Sequence, residues 1–282
     1  MRFCILVYAP PGWQHTGIYT EVAQTLVYGF RRAGHEADVS INSVQPQAIN
    51  VLINAHMLPE SAVGQFPPDL VIYNLEHIEP TTWDWAPSLK LFVQRYEVWD
   101  YSRRNVARLA ELNPRVLWLP LGSEPEMTRI AKAKPQDIDV LFYGFVNDRR
   151  RSVLDAVAAE GLRVEAPFGV YGRPRDELIA RAKIVLNVHQ LEGRVLEMVR
   201  VSYLLANRKA VVTEQSAGLD DEPGLAGAVH SVAYDELAQA CRMLVRDDGR
   251  RRALELAAFR WMSARRQSQA IKDLLKARDK KR

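Results

Sequence analysis

The residues with the strongest chemical content lie between Leu186 and Glu214, in LNVHQLEGRVLEMVRVSYLLANRKAVVTE. This stretch reads as a buried strand, a loop holding Gly193 and Arg194, a helix carrying Glu197, and a second buried strand. That order sets a cation and a carboxylate at the start of one helix, at the carboxyl end of a parallel strand. Open α/β sheets bind ligands at that edge. A helix N-terminus attracts phosphate through its unpaired N–H groups. Arg194 adds a fork of donors, and Glu197 can accept hydrogen bonds from sugar hydroxyls. A site offering both suits a nucleotide-sugar. Arg194 and Glu197 also share one helix face, so a plain ion pair is the competing reading. His189 precedes Glu197 closely enough to meet it across a tight loop.

Three further motifs fall at expected strand ends. In Asp139–Arg151, DVLFYGFVNDRRR, Gly144 closes a strand and arginines open the next helix. Cations there oppose the helix dipole, a cost that an anion on Arg149 and Arg150 would offset; a solvated helix start is the alternative. The turn Ala9–Ile18, APPGWQHTGI, follows the first strand, and Gly12 and Gly17 allow close approach by a ligand. It lacks the GxGxxG spacing of a dinucleotide fingerprint, which argues against a nicotinamide dehydrogenase. In Asp69–Pro80, DLVIYNLEHIEP, Glu76, His77 and Glu79 sit where a strand ends. His77 there can contact a sugar hydroxyl or relay a proton. His56, after the preceding strand, follows the same logic.

The elements that must position these groups alternate. Arg2–Tyr8 reads as a strand, Ile18–Arg32 as a helix and Ala37–Ile41 as a strand. Asn50–Ala55, Leu70–Leu75 and Leu89–Gln94 are buried runs without strict alternation, as expected of parallel strands covered on both faces. Ser102–Leu112 has helical spacing, and Val116–Leu119 is a short strand. Gly122–Asp137 is polar and reads as a linker. The second alternation runs through strands at Val140–Tyr143, Arg163–Ala166, Ile184–Val188, Ala210–Thr213 and Gly227–Ala233. Its helices are expected at Arg150–Glu160, Arg175–Ala182, Leu196–Asn207, Asp235–Arg246 and Gly249–Leu275. The expected fold class is therefore α/β, with two Rossmann-like domains, 1–122 and 123–282, facing a cleft.

The chain has 282 residues, 48% of them hydrophobic, which is ordinary for a globular protein with two cores. The apolar run Phe3–Ala9 is too short to span a membrane. Two distant cysteines, Cys4 and Cys241, give no disulfide framework and no metal cluster, and point to a reducing cytoplasm. The net charge of +4 does not by itself imply nucleic acid. The cations concentrate from Arg250 onward, with Ile271, Leu274 and Leu275 on one helical stripe. That pattern fits a solvated terminal helix, or a foot on an anionic membrane face or on nucleic acid. No DxD is placed as a metal site; Asp220-Asp221 and Asp247-Asp248 read as loop or helix-end charges. Neither a metal nor a cofactor is expected.

Taken together, these motifs resemble the GT-B glycosyltransferases, especially the group-1 branch and its CgeB-like relatives. The glycine turn, its helix and Ala33-Gly34-His35-Glu36 are similar to that family's opening. Leu119-Pro-Leu-Gly-Ser resembles its interdomain segment, Asp139–Arg151 its basic helix start, and Asn187–Glu214 its donor-site signature. His189 stands where the group-1 signature has the first of two acids. The resemblance implies transfer of a sugar from a nucleoside diphosphate-sugar to an acceptor hydroxyl, without metal and with retention. It implies that Glu197 holds ribose hydroxyls, that Arg194, Arg149 and Arg150 serve the pyrophosphate, and that His77 lies beside the transferred sugar. Gly17, Gly144, His189 and Gly193 complete the expected donor site. For inversion, His56, Glu76 and His77 are the candidate bases. The acceptor stays open: a glycan, a lipid-linked glycan, a small molecule or nucleic acid. A nucleic-acid-modifying transferase, a GT-B-like sugar epimerase and a non-catalytic nucleotide-sugar-binding subunit are the other readings.

Overall fold

The computed structural model describes residues 1–190, 196–216, 219 and 222–281. Contacts divide the chain into two compact units, Met1–Glu124 with Arg265–Arg282, and Pro125–Ala264. The sequence boundary after residue 122 falls beside the first of these divisions. Residues 265–282, assigned from sequence to the second unit, group with the first.

The first unit begins with β1 (Arg2–Val7), α1 (Thr20–Arg32), β2 (Glu36–Ile41), β3 (Ile49–Ile53) and β4 (Val71–Asn74). It continues with α2 (Thr82–Trp85), α3 (Pro87–Arg95), β5 (Glu97–Asp100), α4 (Arg103–Ala110) and β6 (Val116–Trp118). The strands form one parallel sheet in the order β2-β1-β3-β4-β5-β6. Its middle strands are buried beyond their first residue, and β4 throughout, which is why they read as continuous apolar runs. The run Leu89–Gln94, expected as a strand, is helical. Pro87 presets its first turn, and Leu89, Phe92 and Val93 recur at helical spacing on the buried face. The strand follows at Glu97–Asp100. Ser102 caps α4 by accepting from the Asn105 N–H.

The second unit contains β7 (Ile138–Leu141), α5 (Asp148–Ala159), β8 (Val164–Glu165), α6 (Gly172–Arg181) and β9 (Ala182–Asn187). After these come α7 (Met198–Ala206), β10 (Ala210–Glu214), β11 (His230–Val232), α8 (Leu237–Arg246) and α9 (Asp248–Ser263). Its sheet is also parallel, in the order β11-β10-β9-β7-β8. The order passes from β7 to β9 on one side and β8 on the other, so the chain reverses direction across the sheet at β7. Such a reversal opens a crevice beyond the strand ends.

The expected helix Gly249–Leu275 is two helices, because the chain leaves the second unit between them. The last is α10 (Gln267–Lys281). Gly29 of α1 admits it closely: a Cβ there would stand 2.8 Å from Gln267 and Ile271 side-chain carbons. Ile271, Leu274 and Leu275 are buried in that contact, and Arg278 reaches Glu97 at 2.9 Å. The apolar stripe that a membrane foot would use therefore lies inside the first unit. Among the described residues no helix is long and apolar enough to cross a membrane.

Candidate functional site

Glu197 is the N-cap residue of α7 and sits where β9 ends. Asn187, the last residue of β9, donates to its Oε2 at 2.7 Å. The ring Nδ1 of His189 lies 3.0 Å from the same oxygen. His189 is fully buried, and its Nε2 meets the Ser216 hydroxyl at 2.7 Å, just past the end of β10. Burial would raise the Glu197 carboxyl. The hydrogen bond and charge of His189, with Arg200 and Asn187, outweigh that and bring it down to about 2. The group is thus a fixed anion with its side chain 23% exposed. His189, expected at the donor, instead sits behind Glu197 and holds it.

Arg149 and Arg150, at the start of α5, are satisfied within the unit. Arg149 forms a two-pronged ion pair with Glu214 and stacks over Tyr234, its guanidinium carbon 4.0 Å from the ring centroid. Arg150 is buried and donates to the carbonyls of Val188 (2.9 Å) and Phe145 (2.8 Å). Burial, then the neighbouring Arg200 charge, lowers its guanidinium to about 10, against the opposing pull of Glu197. The dipole cost of placing cations at this helix start is offset by Glu214 and by carbonyls. Asn147 caps the same helix by accepting from the Arg150 N–H at 3.0 Å.

The cation that sequence reasoning missed is Arg200. It lies in the first turn of α7, half-buried, with its guanidinium 5.2 Å from the Tyr143 ring centroid. Its hydrogen bond among the described residues is to Asn187 Oδ1, 3.1 Å away. Gly144 has φ +133°, and a Cβ on it would stand 2.8 Å from the guanidinium. Glycine here is a requirement of both backbone angle and space. The spacing argument applied to Arg194 and Glu197 fits Glu197 and Arg200 as well, so the signal was present. Gly193 and Arg194 lie outside the described residues, as do Asp220 and Asp221.

In the first unit the structure brings His56 and Glu76 together and leaves His77 on another path. His56 follows β3 and its Nδ1 is 3.6 Å from the Glu76 carboxylate, just past β4. Burial lowers the His56 imidazole, partly opposed by Glu76. His77 is half-buried and tilts against Tyr101 at 6.5 Å between ring centroids. The loop that carries Glu76 and His77 is held from below. Asp100 accepts from Asn74 at 2.6 Å and from the Ser102 N–H at 2.7 Å, and both Asn74 and Asn105 donate to the Glu76 carbonyl. Gly17 lies in a 3-10 turn, Thr16–Tyr19; it is Gly12 that takes the left-handed conformation, at φ +75°.

No protein-family model matches the chain. Two uncharacterised proteins of Acanthamoeba polyphaga mimivirus are similar to part of it. One is 29% identical over 126 residues, 43% of this chain and 17% of the relative. The other is 30% identical over 136 residues, 45% of this chain and 43% of the relative. The matches thus span less than half of these relatives' lengths. Solved structures match nearly end to end. WaaG, a glycosyltransferase involved in lipopolysaccharide biosynthesis, is 13% identical with a TM-score of 0.60, covering 99% of this chain and 98% of WaaG. Anabaena HepE in complex with UDP and glucose is 11% identical with a TM-score of 0.65, covering 98% and 100%. Sucrose-phosphate synthase of Thermosynechococcus elongatus is 12% identical with a TM-score of 0.62, covering 98% and 99%. The fold is α/β with two parallel sheets, that of the GT-B glycosyltransferases.

Proposed function

We propose that this protein is a glycosyltransferase that moves a sugar from a nucleoside diphosphate-sugar to an acceptor hydroxyl. The observation that carries this is the corner where Arg200 lies against Gly144 beside the Glu197 anion. A diphosphate needs a guanidinium within reach of its oxygens, and Arg200, half-buried in the first turn of α7, is placed to supply it in the described part of the site. A ribose needs a hydrogen-bond acceptor that stays ionised, which Glu197 supplies. HepE complexes hold UDP-glucose, which supports a uridine diphosphate donor as the first to try.

In this reading the departing diphosphate is stabilised by the guanidinium and by the start of α7, so a metal ion has no required part. Retention of anomeric configuration follows from the group-1 resemblance. The acceptor belongs to the first unit, where His56, Glu76 and His77 end their strands. A cytoplasmic setting fits two buried thiols, each pushed up to about 12 by burial and so slow to oxidise.

The test is thermal stabilisation by a panel of nucleoside diphosphates and their sugars, because a tight ligand raises the melting temperature by mass action. One donor should stabilise the protein and Glu197→Ala should abolish that shift. An equal shift in the variant would remove Glu197 from the ribose site. Slow hydrolysis of the stabilising donor would separate an enzyme from a silent binding subunit.

A further inference from the structure

We propose that the first unit's strand ends bind a neutral saccharide as the acceptor, with the indole of Trp85 as its stacking platform. This rests on the glycosyltransferase reading and names the acceptor class that it leaves open.

Trp85 is 50% exposed, an unusual state for the largest apolar side chain. It is also held in place. Its ring meets His56 edge to face, with centroids 5.8 Å apart and planes at 79°. His56 is fixed in turn by the left-handed turn at Asn54, φ +73°. Asn54 accepts from the Tyr19 hydroxyl and donates to the Tyr8 carbonyl, both at 2.9 Å. Ser88 donates to the His56 carbonyl. Glu76 completes the group, its carboxylate 31% exposed. Beneath them a cavity of about 10 Å³, lined by Tyr19, Asn54, His56, Asn74 and Glu76, has room for about one water. A sugar ring is too large for this cavity and would have to contact His56 and Glu76 from outside it.

The chemistry of this cluster selects its occupant. A carboxylate offers only acceptors, and a neutral imidazole offers one donor and one acceptor. A hydrocarbon chain laid on Trp85 would strip water from both polar groups and offer them no hydrogen bond in return. An anionic acceptor would face the Glu76 charge. A pyranose meets all three side chains. Its C–H face covers the indole, and its hydroxyls donate to Glu76 and pair with His56.

The experiment uses the full chain and methyl glycosides of glucose, galactose and mannose, with farnesyl phosphate as a lipid probe. Binding is read by saturation-transfer NMR and titration calorimetry, with UDP stabilisation measured separately. At least one glycoside should bind, at least tenfold more weakly in Trp85→Ala, with most affinity kept in Trp85→Phe. Glu76→Gln should also weaken it. UDP should stabilise the parent and Trp85→Ala alike. Glycosides that do not bind, or bind Trp85→Ala as well as the parent, would overturn the proposal. So would Trp85-dependent binding of farnesyl phosphate alone. A missing UDP shift in the parent would count against the donor reading instead, so the two failures are separable.

Discussion

Asp100 in the first unit and Glu197 in the second are carboxyl groups set where parallel strands end, and both accept from asparagine amides. Their fates are opposite. Asp100 is fully buried, and burial pushes it up to about 8 despite hydrogen bonds from Asn74, the Ser102 N–H and Asn105. Glu197, where burial pulls the same way, is brought down to about 2. The difference is the imidazole of His189 and the guanidinium of Arg200. At Asp100 the neutral donors do not outweigh burial; at Glu197 the added charges do. Asp100 is thus a buried clamp under the Glu76 loop, its carboxyl pushed up by burial, while Glu197 is an anion available to a ligand.

The sharpest way to break this contrast is to remove the cation. Arg200→Ala should weaken UDP binding by about ten- to a hundredfold, as expected for loss of a charge-assisted hydrogen bond worth about 1.5–3 kcal/mol. Calorimetry would check it, and an unchanged affinity would place the diphosphate elsewhere. Gly144→Ala should cost about tenfold in the same titration. Its Cβ meets the guanidinium at 2.8 Å and its φ of +133° disfavours a side chain, so Arg200 must move. Substituting Arg208, which lies past the other end of α7 and stacks on Phe259, is the matched control.

Stability should separate the two carboxyls with opposite signs. Asp100 keeps its proton in the fold to about 8 but loses it in the unfolded chain near 3.8. Its contribution therefore falls as pH rises through that window. Glu197 ionises near 4.5 when unfolded and at about 2 when folded, so its contribution is present above 4.5 and lost on acidification towards 2. Denaturant midpoints across pH should show Asp100→Asn flattening the first slope and Glu197→Gln the second. If neither substitution alters its own window, the contrast has no thermodynamic weight.

Most of the fold was legible because buried parallel strands leave unbroken apolar runs, as at Phe3–Val7 and Ile184–Leu186. Leu89–Gln94 shows where that signal fails. A run of this length fits a strand or a buried helix, and Pro87 was the tie-breaking residue. The stripe on α10 was visible, but its partner was not: Gly29 and Ile271 are far apart in sequence, and nothing local joins them. The site divides the same way. Gly144, His189 and Glu197 were marked by their places at strand ends. Arg149 and Arg150 were marked as ligand contacts because the sequence shows cations at a helix start and hides Glu214 and the carbonyls of Val188 and Phe145. Trp85 stayed invisible for the converse reason: its meaning comes from what stands beside it. Arg200 carried a spacing signal, three residues after Glu197, but its place against Gly144 exists only in the folded chain.

Diffraction from crystals soaked with UDP would settle whether this corner is the donor site. Phosphate oxygens are expected within hydrogen-bonding distance of the Arg200 guanidinium beside Gly144, and ribose hydroxyls on the Glu197 carboxylate. Nucleotide bound elsewhere, with the Arg200 guanidinium and the Glu197 carboxylate untouched, would contradict it.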